Sequence, residues 1–348
     1  MKNMHKRDAT YEFIRAVSML LVISVHACSN AAGNYLADTF PGQLVGTVIF
    51  LCNGLFFMIS GKFALGVSCQ TMEDYKQYYL KRLGSIGIPT MVCMLLRSMF
   101  NIGWWPEYFL SADFLKEYIQ NVLYNFASCE YWFLYRLAGF LAAAPFLGKM
   151  LQRMSKTEMM LLVGMGIVYN GLANYLPLTG LSFGWSFPMG DWLVLFILGY
   201  VLERVVETEK EEKQLLILGG LTYCLCILLK RIGLTEGIHD MAPTYAVLCC
   251  AGFIALKKLY RSGRILDAVI IWLGRLTMPV YLMHMMVLYT ILPYIPQWPA
   301  VLRWIALTAA TLVMTLLVSY VLDRTVFAAL LWLYRKITGL QPKTAGVC

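Results

Sequence analysis

The chain has 348 residues, 59% of them hydrophobic and only 14% charged, with a formal net charge of +9 and a mean hydropathy of +0.63. A soluble domain carries about a quarter charged residues, and here the apolar residues recur in blocks of about 20, the length that crosses a bilayer. A soluble globular protein is excluded, and the positive charge reads as the Lys and Arg excess of inner loops rather than as affinity for nucleic acid.

In chain order, the opening MKNMHKRDATYE is polar, basic and expected on the cytoplasmic side. Residues 13–32 form the first apolar block. It is too long and too polar within for a cleaved signal peptide, so it is expected to remain as a spanning helix. It carries two titratable side chains, Arg15 and His26, eleven residues apart. On a helix they project within about 20° of each other and lie about 16 Å apart along the axis. The second span is expected at 41–67, with Lys62 late enough to snorkel inward, followed by a polar loop at 68–82. Residues 83–105 are the third span. In the external segment 106–129, the stretch DFLKEYIQNVLYNF has apolar residues at helical spacing and should lie along the membrane surface.

The fourth and fifth spans are expected at 131–150 and 159–176, the sixth at 187–202. The stretch ERVVETEKEEKQ (203–214) reads as a solvated inner loop. Spans seven to ten follow at 215–229, 243–256, 268–292 and 300–322, and the tail holds an amphipathic piece, TVFAALLWLYRKI. The expected fold class is therefore all-α: one polytopic domain over 1–348 with about ten transmembrane helices and both termini cytoplasmic. In that topology only Lys116, Lys230 and Arg231 among the 29 Lys and Arg fall in outer segments, the sign that the positive-inside bias requires. Six of the ten cysteines, Cys52, Cys93, Cys224, Cys226, Cys249 and Cys250, lie inside apolar runs and read as packed small hydrophobes. No metal-ligand spacing and no disulfide framework is apparent.

Ionisable groups at membrane depth are Arg15, His26, Arg97, Glu130, Arg136, Asp191, Arg275 and His284. Each has a plain structural explanation: an arginine snorkelling to the surface, a carboxylate at a helix start, a histidine satisfied in the core. Together they are many for a passive anchor, because charge in hydrocarbon is costly and generally lines a path or a site. No P-loop, HExxH or GxSxG motif is present. A histidine near the outer surface suits a general base for a hydroxyl, and arginines suit phosphates. The combination points to group transfer from a phosphate-bearing donor, with a transporter or flippase of a sugar, lipid or amino acid as the rival class.

RAVSMLLVISVH in the first block resembles the Arg/Lys-x10-His signature of the integral-membrane acyltransferase 3 family. Further down the chain FFMISGKFALG, YYLKRLGSIGIP, EYWFLYRLAGFLAAAP and MPVYLMH resemble that family's later segments, in order. Where members often carry two arginines three apart, Arg82 stands at the first position and Ser85 at the second. The resemblance implies transfer of an acyl group, usually acetyl, from cytoplasmic acyl-coenzyme A to a hydroxyl of a cell-surface glycan or lipid-linked sugar. The setting it implies is a bacterial inner membrane, and it implies no metal. His26 would deprotonate the acceptor hydroxyl or briefly carry the acyl group. Arg15, Arg82 and Arg275 would bind the donor, and Glu130, Asp191 and His284 would orient the acceptor. Because the chain ends soon after the tenth span, it is expected to act without an attached extracytoplasmic domain. The family also includes membrane domains fused to amino-acid racemases, which leaves a non-glycan acceptor open.

Overall fold

The computed structural model of the protein describes residues 8–124, 128–234 and 240–340, and every regular element among them is helical. Helix α1, Ala9–Ala32, starts four residues before the apolar block because Asp8 caps it, accepting from the Thr10 N–H at 2.9 Å. A short α2 (Tyr35–Asp38) leads to α3 (Phe40–Ile49) and α4 (Cys52–Ala64), which together make the expected second span. The expected loop 68–82 is instead mostly helix. Thr71 and Asp74 form a capping box that opens α5 (Met72–Arg82), and α5 continues through a π-helical turn, Leu83–Gly87, into α6 (Ile88–Asn101). Pro89 lies just after that turn. In a regular helix its ring would meet the carbonyl four residues back, and a wider turn there accommodates it.

Helices α7 (Pro106–Phe109) and α8 (Ala112–Tyr124) follow. Only Phe114 of α8 is buried, its ring against Tyr108 and Phe109. The end of the expected surface helix, residues 125 and 126, lies outside the described residues. Then come α9 (Trp132–Arg153), α10 (Lys156–Tyr175), α11 (Asp191–Val205) and α12 (Glu209–Arg231). A capping box of Thr208 and Glu211 opens α12, so the expected inner loop 203–214 is largely helix too. The chain closes with α13 (Pro243–Leu259), α14 (Arg264–Ile291), α15 (Ala300–Leu322) and α16 (Ala328–Thr338), the last two joined by a π-helical turn, Asp323–Phe327.

Among the described residues eight helical stretches are long and apolar enough to cross a membrane. The other two expected spans correspond to α11 and α13, of 15 and 17 residues. At ~1.5 Å per residue these are about 22 and 26 Å long, short of the ~30 Å hydrocarbon core. α11 is buried without a break from Val194 to Leu202. A helix shielded on all sides by protein need not match the bilayer in length.

The described residues form two compact units, one from 8–68 and 143–274, the other from 69–142 and 275–340. In the first, α11 is central and packs on α4. The approach is backbone to backbone: a Cβ on Gly61 would lie 1.7 Å from the Phe196 carbonyl oxygen, and one on Gly199 would lie 1.8 Å from that of Met58. Small residues at a helix crossing allow the van der Waals contact that drives association where solvent is apolar. α1 packs against α3, α4 and α13 of the same unit. In the second unit tyrosine hydroxyls tie helices through carbonyl oxygens: Tyr78 to Leu141 (2.9 Å), Tyr79 to Ala142 (2.8 Å), Tyr131 to Leu282 (2.9 Å) and Tyr334 to Leu80 (3.1 Å).

Candidate active site

α1 runs unbroken from Ala9 to Ala32, so the sequence-derived separation of Arg15 and His26, about 16 Å, stands. Arg15 does not face its surroundings alone. Its Nη1 donates to Glu12 Oε2 at 2.7 Å, one helical turn earlier, and its guanidinium carbon lies 5.9 Å from the centre of the Phe63 ring. Glu12 is buried against Gly274 of α14; a Cβ there would lie 1.9 Å from Oε2, so only glycine leaves room for the carboxylate.

Beside this pair, Glu203 at the end of α11 gathers three partners. Tyr11 donates its hydroxyl proton to Oε1 at 2.6 Å, and Lys62 and Lys257 both pair with the carboxylate. Lys62 also lies 4.5 Å from the centre of the Tyr11 ring. The sequence reading had Lys62 snorkelling to the surface and Glu203 in a solvated loop. Their side chains are only 19% and 17% exposed, because each is the other's partner between helices. Glu12, Tyr11, Glu203 and Lys257 were missed. The Glu12–Arg15 spacing of three residues was the one available signal, since such pairs meet on a helix face.

His26 lies half-buried near the C-terminal end of α1, and its backbone carbonyl accepts from Asn30 Nδ2 at 2.8 Å. Asp191 is the first residue of α11 and has a left-handed backbone, φ 51°. The buried Asn170 clamps it there, taking the Asp191 N–H on Oδ1 (2.7 Å) and donating from Nδ2 to its carbonyl (3.2 Å). Aspartate tolerates this backbone region better than most residues.

In the other unit the structure brings Glu130 and His284 together through one residue. The Tyr281 hydroxyl donates to the Glu130 carbonyl, while the Tyr281 carbonyl lies 2.6 Å from His284 Nδ1. A carbonyl only accepts, so Nδ1 carries the hydrogen and a neutral ring presents Nε2 as a lone pair. His284 is fully buried and Glu130 is 2% exposed. Glu130 Oε2 accepts from the Ser128 hydroxyl, and Oε1 has no hydrogen-bond partner among the described residues. The buried Arg97 stacks near Tyr289 (5.1 Å) and Phe100 (5.4 Å). Arg82 ends α5, half-buried, with its guanidinium 5.2 Å from the Tyr78 ring centre; Arg275 on α14 is exposed. The nine cysteines among the described residues, Cys28 and Cys129 included, are free thiols.

Arg15, His26 and Asp191 in the first unit, and Glu130 and His284 in the second, are thus each at least partly buried. No curated protein and no solved structure matches the chain. Residues 8–324, which contain every one of these side chains, match the family model described as an acyltransferase domain. The chain therefore belongs to the acyltransferase 3 family and is a membrane acyltransferase.

Proposed function

We propose that the protein moves an acyl group, in the first instance acetyl, from cytoplasmic acyl-coenzyme A to a hydroxyl of a cell-surface glycan or lipid-linked sugar. The observation that carries this reading is the placement of Arg15 and His26 towards opposite ends of one unbroken helix. Among the described residues, Arg15 stands near the start of α1 in a cluster where cations outnumber carboxylates by one (Arg15, Lys62, Arg204, Lys257 and Lys258 against Asp8, Glu12, Glu203 and Glu212), and His26 stands near its end. A surplus of fixed positive charge suits the phosphates of coenzyme A. A histidine some 16 Å further along the helix suits the thioester end of that long molecule. The acceptor hydroxyl gives its proton to His26 as its oxygen attacks the thioester carbonyl. The carbon–sulfur bond then breaks, and the coenzyme A thiolate takes the proton back. Transient acylation of the same imidazole is the alternative route. Arg82 and Arg275 are further donor-side candidates, and Glu130, Asp191 and His284 are candidates for holding the acceptor. The implied place of action is the cell envelope.

The test is release of free coenzyme A from acetyl-coenzyme A by the purified protein in proteoliposomes with a glycan acceptor. His26→Ala should lower turnover by about 10²–10⁴-fold with little change in donor affinity. Arg15→Ala should mainly raise KM for the donor, and Arg15→Lys should recover part of it, because the charge is kept though the forked geometry is lost. A well-folded His26→Ala protein with undiminished turnover overturns the assignment, and a wild-type protein that moves solute without releasing coenzyme A replaces it with transport.

A further inference from the structure

The turn that ends α6 opens a cleft whose chemistry differs from that of the buried ionisable groups. Gly103 and Trp104 both have a left-handed backbone, φ 71° and 60°. A tryptophan in that region is strained, and such strain gathers where a side chain must be presented. The turn presents Trp105. Its five-membered ring rests on Gly103, where a Cβ would lie 3.4 Å from Cδ1 and 3.5 Å from Nε1, yet the residue stays 69% exposed. Around it lies an open cleft of about 360 Å³, lined by Ile102, Trp105, Tyr108 and Glu117. The Tyr108 hydroxyl donates to Glu117 Oε2 at 2.9 Å, which fixes the carboxylate and leaves Oε1 uncommitted among the described residues.

The plain explanation of an exposed tryptophan at the end of a spanning helix is the aromatic belt at the membrane interface. The faces of α8 argue otherwise. Leu115, Ile119 and Leu123 form its exposed apolar stripe, centred on Ile119. At ~100° per residue, Glu117 projects about 160° from that stripe. Tyr118, the next residue, donates its hydroxyl to the Met91 carbonyl at 2.9 Å. Glu117 instead shares the cleft with Ile102 at the end of α6, about 16 Å further along the axis than Met91. The apolar stripe therefore lies on lipid and the cleft opens to water. A flat indole calls for a flat apolar partner, and a carboxylate calls for hydroxyl or amine donors. Asp113 adds negative charge close by, which repels phosphates and carboxylates. A neutral sugar meets all three conditions: the C–H face of its ring stacks on the indole, and hydroxyls at its edge donate to Oε1. A cation fits less well. The Tyr108 ring is committed to Phe114, and a single indole is left where a cation cage needs several aromatic faces.

We propose that this cleft binds a neutral pyranose of the acceptor glycan, with Trp105 as the stacking platform and Glu117 as the hydroxyl acceptor. The inference rests on the reading of the acceptor as a glycan, and it adds a sugar subsite on the segment expected outside the membrane. Saturation-transfer NMR tests it on the full-length protein in phosphatidylcholine nanodiscs, with cellotetraose as the probe and no acetyl-coenzyme A. The wild type should transfer saturation to the ring C–H groups of cellotetraose and not to those of tetragalacturonate, an anionic chain of the same length. Trp105→Ala should lose the signal, and Trp105→Phe should keep part of it. Glu117→Gln should weaken binding roughly tenfold, the worth of one charge-assisted contact, and should admit tetragalacturonate. Should Trp105→Ala fail to fold, Glu117→Gln, which keeps the native shape, carries the test. No transfer to cellotetraose by the wild type, equal transfer to tetragalacturonate, an unchanged signal in Trp105→Ala, or transfer to trilysine in preference to the sugar would each overturn the proposal. Because binding is read without the donor, a silent subsite leaves release of coenzyme A to judge the acyl-transfer reading. Sugar binding without that release would sink the reading of transfer while the subsite stands.

Discussion

Glu203 shows how partnership decides the meaning of a charge in this chain. Its neighbours are 192 residues away at Tyr11, 141 at Lys62 and 54 at Lys257, separations that no local pattern reveals. Within the sequence it is one carboxylate of a charged run; in the fold it pairs with two ammonium groups at once. Glu203→Gln should leave Lys62 and Lys257 repelling each other in a poorly solvated place. Breaking a buried pair by removing one partner costs ~3–5 kcal/mol, and the partial exposure of these side chains reduces that to roughly 2 kcal/mol. Melting in detergent should therefore fall for Glu203→Gln and recover in part when Lys62→Met is added. An unchanged melting temperature in the single variant would mean that the cluster is already screened by water. Arg15 and His26 were legible for the opposite reason. A titratable side chain inside an apolar block stands out by itself, whereas Glu12 looked like part of the polar lead-in until α1 proved to begin at Ala9.

At the scale of elements, the apolar blocks located the helices and the capping residues corrected their ends. The stretches 68–82 and 203–214 read as loops because they are polar, yet each spells a capping box, T-M-E-D and T-E-K-E, and each is helical after it. Polarity marks where a helix leaves the hydrocarbon, not where it stops. Helix crossings were not legible at all, since nothing in the sequence separates a glycine at a contact from one on an open face. Gly61 and Gly164 make the comparison. A methyl group on Gly61 meets the Phe196 backbone, whereas one on Gly164 meets nothing within 4 Å. Gly164→Ala should raise stability by ~0.5–1 kcal/mol through helix propensity alone. Gly61→Ala must push α4 and α11 apart, and should sharply lower the yield of monodisperse protein. Equal behaviour of the two variants would show that the crossing can slide to accept a side chain.

At the scale of the whole molecule, the asymmetry of Lys and Arg sets an expected orientation. Lys230 was counted among the three outer cations; it is in fact buried, donating to Thr47 Oγ1 at 2.9 Å, which thins the outer charge further. Single cysteines test the orientation, and the structure says which native thiols interfere. Cys28, Cys52, Cys69, Cys93, Cys226, Cys249 and Cys250 are buried and can remain, while the exposed Cys129 and Cys224 need replacing, as does Cys348, which lies outside the described residues. Keeping the buried ones matters for packing, since Cys249 fills the space beside Gly54. New cysteines at Glu209, Gly263 and Asp113 fall on exposed positions. With an impermeant thiol reagent on intact cells, Asp113→Cys should label, and Glu209→Cys and Gly263→Cys should label only after the membrane is opened. The reverse pattern would turn the positive-inside assignment around. Arg15 would then face the outside, coenzyme A could not reach it from the cytoplasm, and the division of labour proposed for α1 would fail with it.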